Sequence, residues 1–145
     1  MFNIFKKGRK VLIHSKNVDF LLYAIISTSS QEVYEMVMPI AQFPFEGPLS
    51  NIKEVKSESG VYAVMCEFVD KFYLLDVGLS DDIRSEIANH ERKKCWERFK
   101  KGKIRYAVLY TNVFPNLSDS QIVKNIRSTY KNIPCGAEIE LDVKM

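Results

Sequence analysis

Two apolar runs separated by three residues constrain this chain more than any other feature. Residues 61–68 and 72–77 read as strands, and Val69-Asp70-Lys71 between them is short enough for an antiparallel hairpin. The apolar residues occupy odd and even positions alike. A strand with one wet face alternates apolar and polar residues, so this hairpin needs cover on both sides of its sheet. The segments that follow can supply it. Ser80 is a suitable N-cap, and Asp81 and Asp82 suit the positive end of a helix dipole, which predicts a helix from there to about Lys93. The region of Trp96 continues that helix or forms a short second one, and Gly102 breaks it. Residues 104–111 make a third strand. Ser118 with Gln121 three positions on forms a capping box for a helix to about Tyr130, and Pro134 and Gly136 end the unit. The fold class expected is α+β, a central antiparallel sheet of three or more strands with helices on both sides.

At 145 residues the chain is most simply one compact domain. It divides into an N-terminal extension packed on the core (1–52), the central unit (53–136) and a C-terminal strand or tail (137–145). Within the extension, Val11-Leu12-Ile13 suits a short strand, and 18–26 is a buried run of ambiguous structure. Ser29-Ser30-Gln31-Glu32 reads as a helix start, with Val33, Met36, Val37 and Ile40 at helical spacing and Pro39 bending or ending that helix. Residues 43–52 read as a loop. In the tail, Ile139, Leu141 and Val143 alternate with charged residues, the pattern of an edge strand.

The net charge of +3 is mild, but its distribution is uneven. Lys6, Lys7, Arg9 and Lys10 crowd the N-terminus. Arg92, Lys93, Lys94, Arg98, Lys100, Lys101 and Lys103 crowd one stretch, against Glu91 and Glu97. Such a stretch can hold a phosphate backbone through counterion release, or it can be a solvated helix face. Trp96 and Phe99 lie among these cations and could stack bases, although a lone Trp is more often buried. The odd count of three cysteines, Cys66, Cys95 and Cys135, without a CxxC pair, argues against a disulfide framework and fits a reducing cytoplasm. The N-terminal residues lack the apolar region of a signal peptide, and 18–26 is too short to span a bilayer, so no membrane partner is expected.

Gly60-Val61-Tyr62 opens the first strand, and Asp76-Val77-Gly78 closes the second, fourteen residues after the tyrosine. With the segment Ile-Arg-Ser-Glu-Ile-Ala-Asn-His and the ending Tyr-Lys-Asn-Ile-Pro-Cys-Gly, this order resembles the GIY-YIG nuclease superfamily, in a branch that carries GVY and DVG. The resemblance covers 58–136 and implies a small antiparallel sheet flanked by helices. It also implies phosphodiester hydrolysis: a tyrosine activates water, an arginine on the first helix stabilises phosphate charge, a histidine one turn on assists, and a glutamate on the last helix holds a divalent metal such as Mg.

Tyr62 matches the first tyrosine and His90 the histidine. Asp76 stands in place of the second tyrosine, and Glu86 in place of the arginine. Together Tyr62, Asp76, Glu86 and His90 form an altered or relic catalytic site. Each also has a plain structural role open to it: Tyr62 packed in the sheet, Asp76 capping a strand bend, and His90 hydrogen-bonded to Glu86. Reversing the charge at the arginine position removes a transition-state donor, typically worth roughly 100-fold to 1000-fold in rate. Arg84 cannot replace it, because two helical positions lie about 200° apart. A replacement would have to come from Arg92, Arg127 or a partner chain. The metal-ligand position holds Val123, and no carboxylate occurs between Asp119 and Glu138, so no metal ligand is assigned.

The reading that follows is a catalytically impaired nuclease-like fold. It binds DNA or RNA through Arg92, Lys93, Lys94, Arg98, Lys100, Lys101 and Arg127. Two alternatives stand beside it. One is a protein-interaction module, with a protein partner or a homodimer. The other is a metal-dependent endonuclease with an altered site, which alone would require Mg.

Overall fold

The structure, a computed structural model, describes residues 10–14, 19–26 and 34–136. The strands are β1 (Lys10–His14), β2 (Asp19–Ile26), β3 (Tyr34–Ile40), β4 (Phe43–Leu49), β5 (Gly60–Phe68), β6 (Lys71–Ser80) and β7 (Lys103–Tyr110). The helices are α1 (Ile83–Ala88), α2 (Lys93–Phe99) and α3 (Asp119–Thr129), with a single 3-10 turn at Ile52–Glu54. All seven strands pair antiparallel in one sheet, in the order β1-β2-β3-β4-β7-β5-β6. The fold is therefore α+β.

The hairpin of β5 and β6 forms as the pattern requires. Its turn has two residues, Val69 and Asp70, both at positive φ. Strand β5 lies between β6 and β7 and is buried on both faces from Gly60 to Cys66. On one face Val61, Ala63, Met65, Phe72, Leu74 and Val77 meet Ile122 and Ile126 of α3. On the other, Tyr62, Val64, Cys66 and Leu75 meet Ile83 and Ile87 of α1 and Trp96 of α2. Burying these side chains on two faces contributes about 1.5–3 kcal/mol for each large aliphatic, which is why the helices must sit on both sides.

Four local expectations are corrected. The helix placed on residues up to 40 is strand β3 over its described part; residues 29–33 lie outside the described residues. Met38 and Ile40 are both fully buried, so the period that governs is two, not 3.6. The loop placed at 43–52 is largely strand β4, with Phe43 and Phe45 inward. Prolines did not prevent this. Pro39 pairs with Pro44, one step from the two-residue turn Ala41-Gln42. The flanking pair Ile40–Phe43 takes the ladder hydrogen bonds of such a hairpin, so the next pair needs no N–H between its strands.

The third correction is the long helix expected from Ser80. Ser80 ends β6, Asp82 is the N-cap, and α1 stops at Ala88. Asn89 is the C-cap, its N–H donating to the Ser85 carbonyl, and His90 just beyond it is buried. The fourth is the cysteines: Cys95 of α2 is bonded to Cys135. The capping box at Ser118 is as expected, with Ser118 accepting from Gln121 N and the Gln121 side chain accepting from Ser118 N. The tail at 137–145 lies outside the described residues. No helix among the described residues is long and apolar enough to cross a membrane.

Candidate functional site

The hairpin sets the site. Tyr62 and Gly78 are cross-strand partners, and Asp76 faces Val64 two steps further along. A β-bulge follows between Val64 and Met65, so Leu75 and Asp76 sit where the ladder is irregular. Tyr62 lies across Gly78. A β-carbon at Gly78 would run into the Tyr62 hydroxyl, so the glycine of the DVG triplet is needed for close packing rather than for backbone freedom.

Asp76 is fully buried, and its carboxylate is surrounded by donors. Arg92 donates through Nε at 2.8 Å and Nη2 at 3.1 Å. Arg127 donates through Nη2 at 2.9 Å, and Trp96 donates through Nε1 at 2.8 Å. A carboxylate with no water around it is tolerated only when paired and hydrogen-bonded in this way. Burial works against the charge on Arg92, but its hydrogen bond to Asp76 and the Asp76 charge outweigh that and raise its pKa. Arg127 also donates to the carbonyls of Val77 and Cys135. The Cys135 N–H in turn donates to the Leu75 carbonyl, so the segment before Gly136 lies along β6. Gly136 has φ +89° and packs flush on the Arg127 guanidinium. Three segments thus converge on the β6 carboxylate, namely α2, the turn before it and α3, and the stretch around Cys135 holds Arg127 in place.

Next to this lies a second pair. The Tyr62 oxygen is 2.6 Å from His90 Nε2. The backbone N–H of Arg92 donates to His90 Nδ1, at 3.0 Å. A neutral imidazole has one donor and one acceptor nitrogen, so the ring proton sits on Nε2 and is directed at the Tyr62 oxygen. Burial, and then the Arg92 charge, hold the His90 pKa below the ordinary histidine value. Burial, and then the Asp76 charge, push the Tyr62 hydroxyl well above the ordinary tyrosine range. The Tyr62 shift opposes the water-activating role, and at His90 it is the tautomer, not the shift, that does so. The tyrosine keeps its proton, and the histidine presents a proton where a base is needed. Glu86 Oε2 lies 3.7 Å from His90 Nε2, and its side chain is 43% exposed. Arg84 is exposed on α1, as its spacing implies.

The four residues assigned to the altered site therefore do come together: Tyr62 and His90 in direct contact, Glu86 beside His90, and Asp76 close by. The place where they meet is covered. Tyr62 is 2% exposed and His90 6%. A groove of about 390 Å³ on the Arg92 side is lined by Glu91, Arg92, Lys94, Cys95, Arg98 and Phe99, and by none of the four. Arg92 and Arg127, named as candidates to replace the missing arginine, both reach this region. Their guanidinium groups are spent on Asp76. Val123 is half-buried against the α3 face of the core. No group of three or more His, Cys, Asp or Glu among the described residues is arranged to hold a metal ion.

Of the residues assigned to nucleic acid, Lys93, Lys94, Arg98, Lys100 and Lys101 are exposed on and after α2. Lys93 reaches back to the Ala88 carbonyl, and Lys100 pairs with Glu97 at 2.8 Å. Arg92 and Arg127 have side chains only 18% and 13% exposed. The link between Cys95 and Cys135 was missed because an odd cysteine count says nothing about which pair will meet. The convergence on Asp76 had one signal in the sequence: an aspartate within an otherwise apolar strand needs a cation from elsewhere. The chain matches no protein-family model, and no significantly similar curated protein or solved structure was found.

Proposed function

We propose that this chain is a nuclease-like domain of the GIY-YIG type whose catalytic position has become a structural lock and which binds nucleic acid through the exposed basic face of α2. The observation that carries the reading is Asp76, which takes four hydrogen bonds from Arg92, Arg127 and Trp96 in a covered position. A phosphodiester would have to displace those bonds to reach either arginine. The binding surface consists of Lys93, Lys94, Arg98, Lys100 and Lys101. Arg92 and Arg127 contribute to it only through the fold.

Affinity for a labelled duplex should fall steeply with salt, and charge-removing changes at Lys94, Arg98 and Lys101 should each flatten the salt slope by about one. Absence of binding at low salt would refute the reading. Incubation with Mg or Mn and plasmid should give no nicking. Nicking abolished by Tyr62→Phe would establish the altered-endonuclease reading instead.

The interaction-module reading has its own observation. An open groove of about 590 Å³, lined by Leu79, Phe114, Pro115 and Leu117 among others, lies beside the exposed Leu79 and Val113. A cytoplasmic location also belongs to the proposal. The Cys95–Cys135 bond weighs against it, since reducing compartments keep most thiols free. Thiol titration of protein trapped in its native compartment decides that point.

A further inference from the structure

Resting on the nucleic-acid reading, we infer that the end of α2 and the tip of the β5–β6 hairpin form one site for unpaired bases, so that the preferred ligand is single-stranded nucleic acid. The two segments are built onto each other. The N–H of Lys101 donates to the Cys66 sulfur at 3.3 Å. Gly102, at φ +117°, sits so tightly on β5 that a β-carbon there would run into the Glu67 carbonyl, with the Phe68 β-carbon beside it. Cys66 faces Tyr73 across the hairpin. The loop after α2 is thus fixed along the hairpin strands.

This strip carries three aromatic rings, Phe68, Tyr73 and Phe99, and two of them have a cation close by. The Arg98 guanidinium lies 5.5 Å from the Phe99 ring centroid, and Lys101 Nζ lies 5.3 Å from that of Tyr73. Phe99 is 44% exposed and Phe68 47%. Val69, at the hairpin tip, is 70% exposed and is held at φ +51°, where a β-branched residue is unfavourable. A duplex offers only phosphates to such a strip, because its base faces are stacked inside. A single strand offers both partners: bases to the rings and phosphates to Arg98, Lys100, Lys101 and Lys103. A protein partner would have to bring a row of carboxylates to these cations, which a nucleic-acid backbone supplies as a phosphate at every nucleotide.

The test is fluorescence anisotropy of the full chain with labelled oligothymidine of about 12 nucleotides, within the usual site size, and with a duplex of the same length. Tighter binding of the single strand is expected. Phe99→Ala and Phe68→Ala should each weaken it on the order of tenfold while leaving duplex binding unchanged. Far-UV circular dichroism of each variant confirms that the hairpin is retained. Equal or tighter duplex binding, with no effect of either phenylalanine, would overturn this inference and leave the basic-face reading standing. No binding of either oligonucleotide at low salt would overturn both.

Discussion

Replacing Asp76 by Asn tests the lock directly. The substitution keeps the shape of the side chain but leaves one acceptor oxygen and turns an NH2 group towards donors. The bonds at stake are two from Arg92, one from Arg127 and one from Trp96, to a carboxylate with no exposure. Removing one partner of a buried ion pair typically costs about 3–5 kcal/mol. Both arginines keep some access to solvent, with side chains 18% and 13% exposed, so the lower end applies. A loss of about 3 kcal/mol is a large share of the roughly 5–15 kcal/mol that stabilises a domain. With a urea slope of about 2 kcal/mol/M, the midpoint should fall by about 1.5 M at unchanged slope. Glu86→Gln, at an exposed carboxylate, serves as control and should move stability by no more than about 0.5 kcal/mol. A midpoint shift for Asp76→Asn below roughly 0.5 M would refute the lock, because the carboxylate would then be dispensable to the fold.

Gly78→Ala should lower stability by about 1–3 kcal/mol through overpacking against Tyr62, seen as a reduced melting temperature, and Tyr62→Ala in the same chain should relieve part of it. Because the folded pKa of His90 is depressed, its contribution is fully present above about pH 6.5 and is lost as pH falls below that value. His90→Asn should flatten the acid limb of a stability–pH profile. The raised Tyr62 pKa has the opposite sense: stability is full below about pH 10 and is lost above it, and in an ultraviolet titration Tyr62 should resist ionisation more than Tyr106 and Tyr110, which burial also raises. Cys95→Ser opens a cross-link of sequence separation 40 and should cost about 4 kcal/mol by loop-closure entropy, measured as a fall in the urea midpoint that reductant reproduces in the parent chain.

The sheet centre was legible because two strands without a polar face leave no other arrangement. The layering followed from the same pattern, and Val123 and Trp96 fell where an apolar side chain on an amphipathic element belongs. The N-terminal part misled because Met36, Met38 and Ile40 sit in a short apolar run whose helical and strand periods overlap. Pairing on both edges, with β2 and with β4, decided it. The site was half legible. The resemblance singled out Tyr62, Asp76, Glu86 and His90 together, while the register that sets Tyr62 opposite Gly78 is visible only in the structure. The roles of Arg92 and Arg127 were hidden, since a basic residue on a helix looks the same whether it faces solvent or a buried aspartate. Only the close approach of α2 and α3 to β6 distinguishes the two.

The closed cluster around Asp76 and the open strip at the end of α2 can be examined in one measurement. Oligothymidine is titrated into isotopically labelled protein, and amide chemical-shift changes are followed by nuclear magnetic resonance. Changes should concentrate at residues 93–103 and 68–73, with the amides of Tyr62, Asp76 and His90 unmoved at saturation. Shifts centred on Tyr62, Asp76 and His90, with the strip silent, would contradict both assignments.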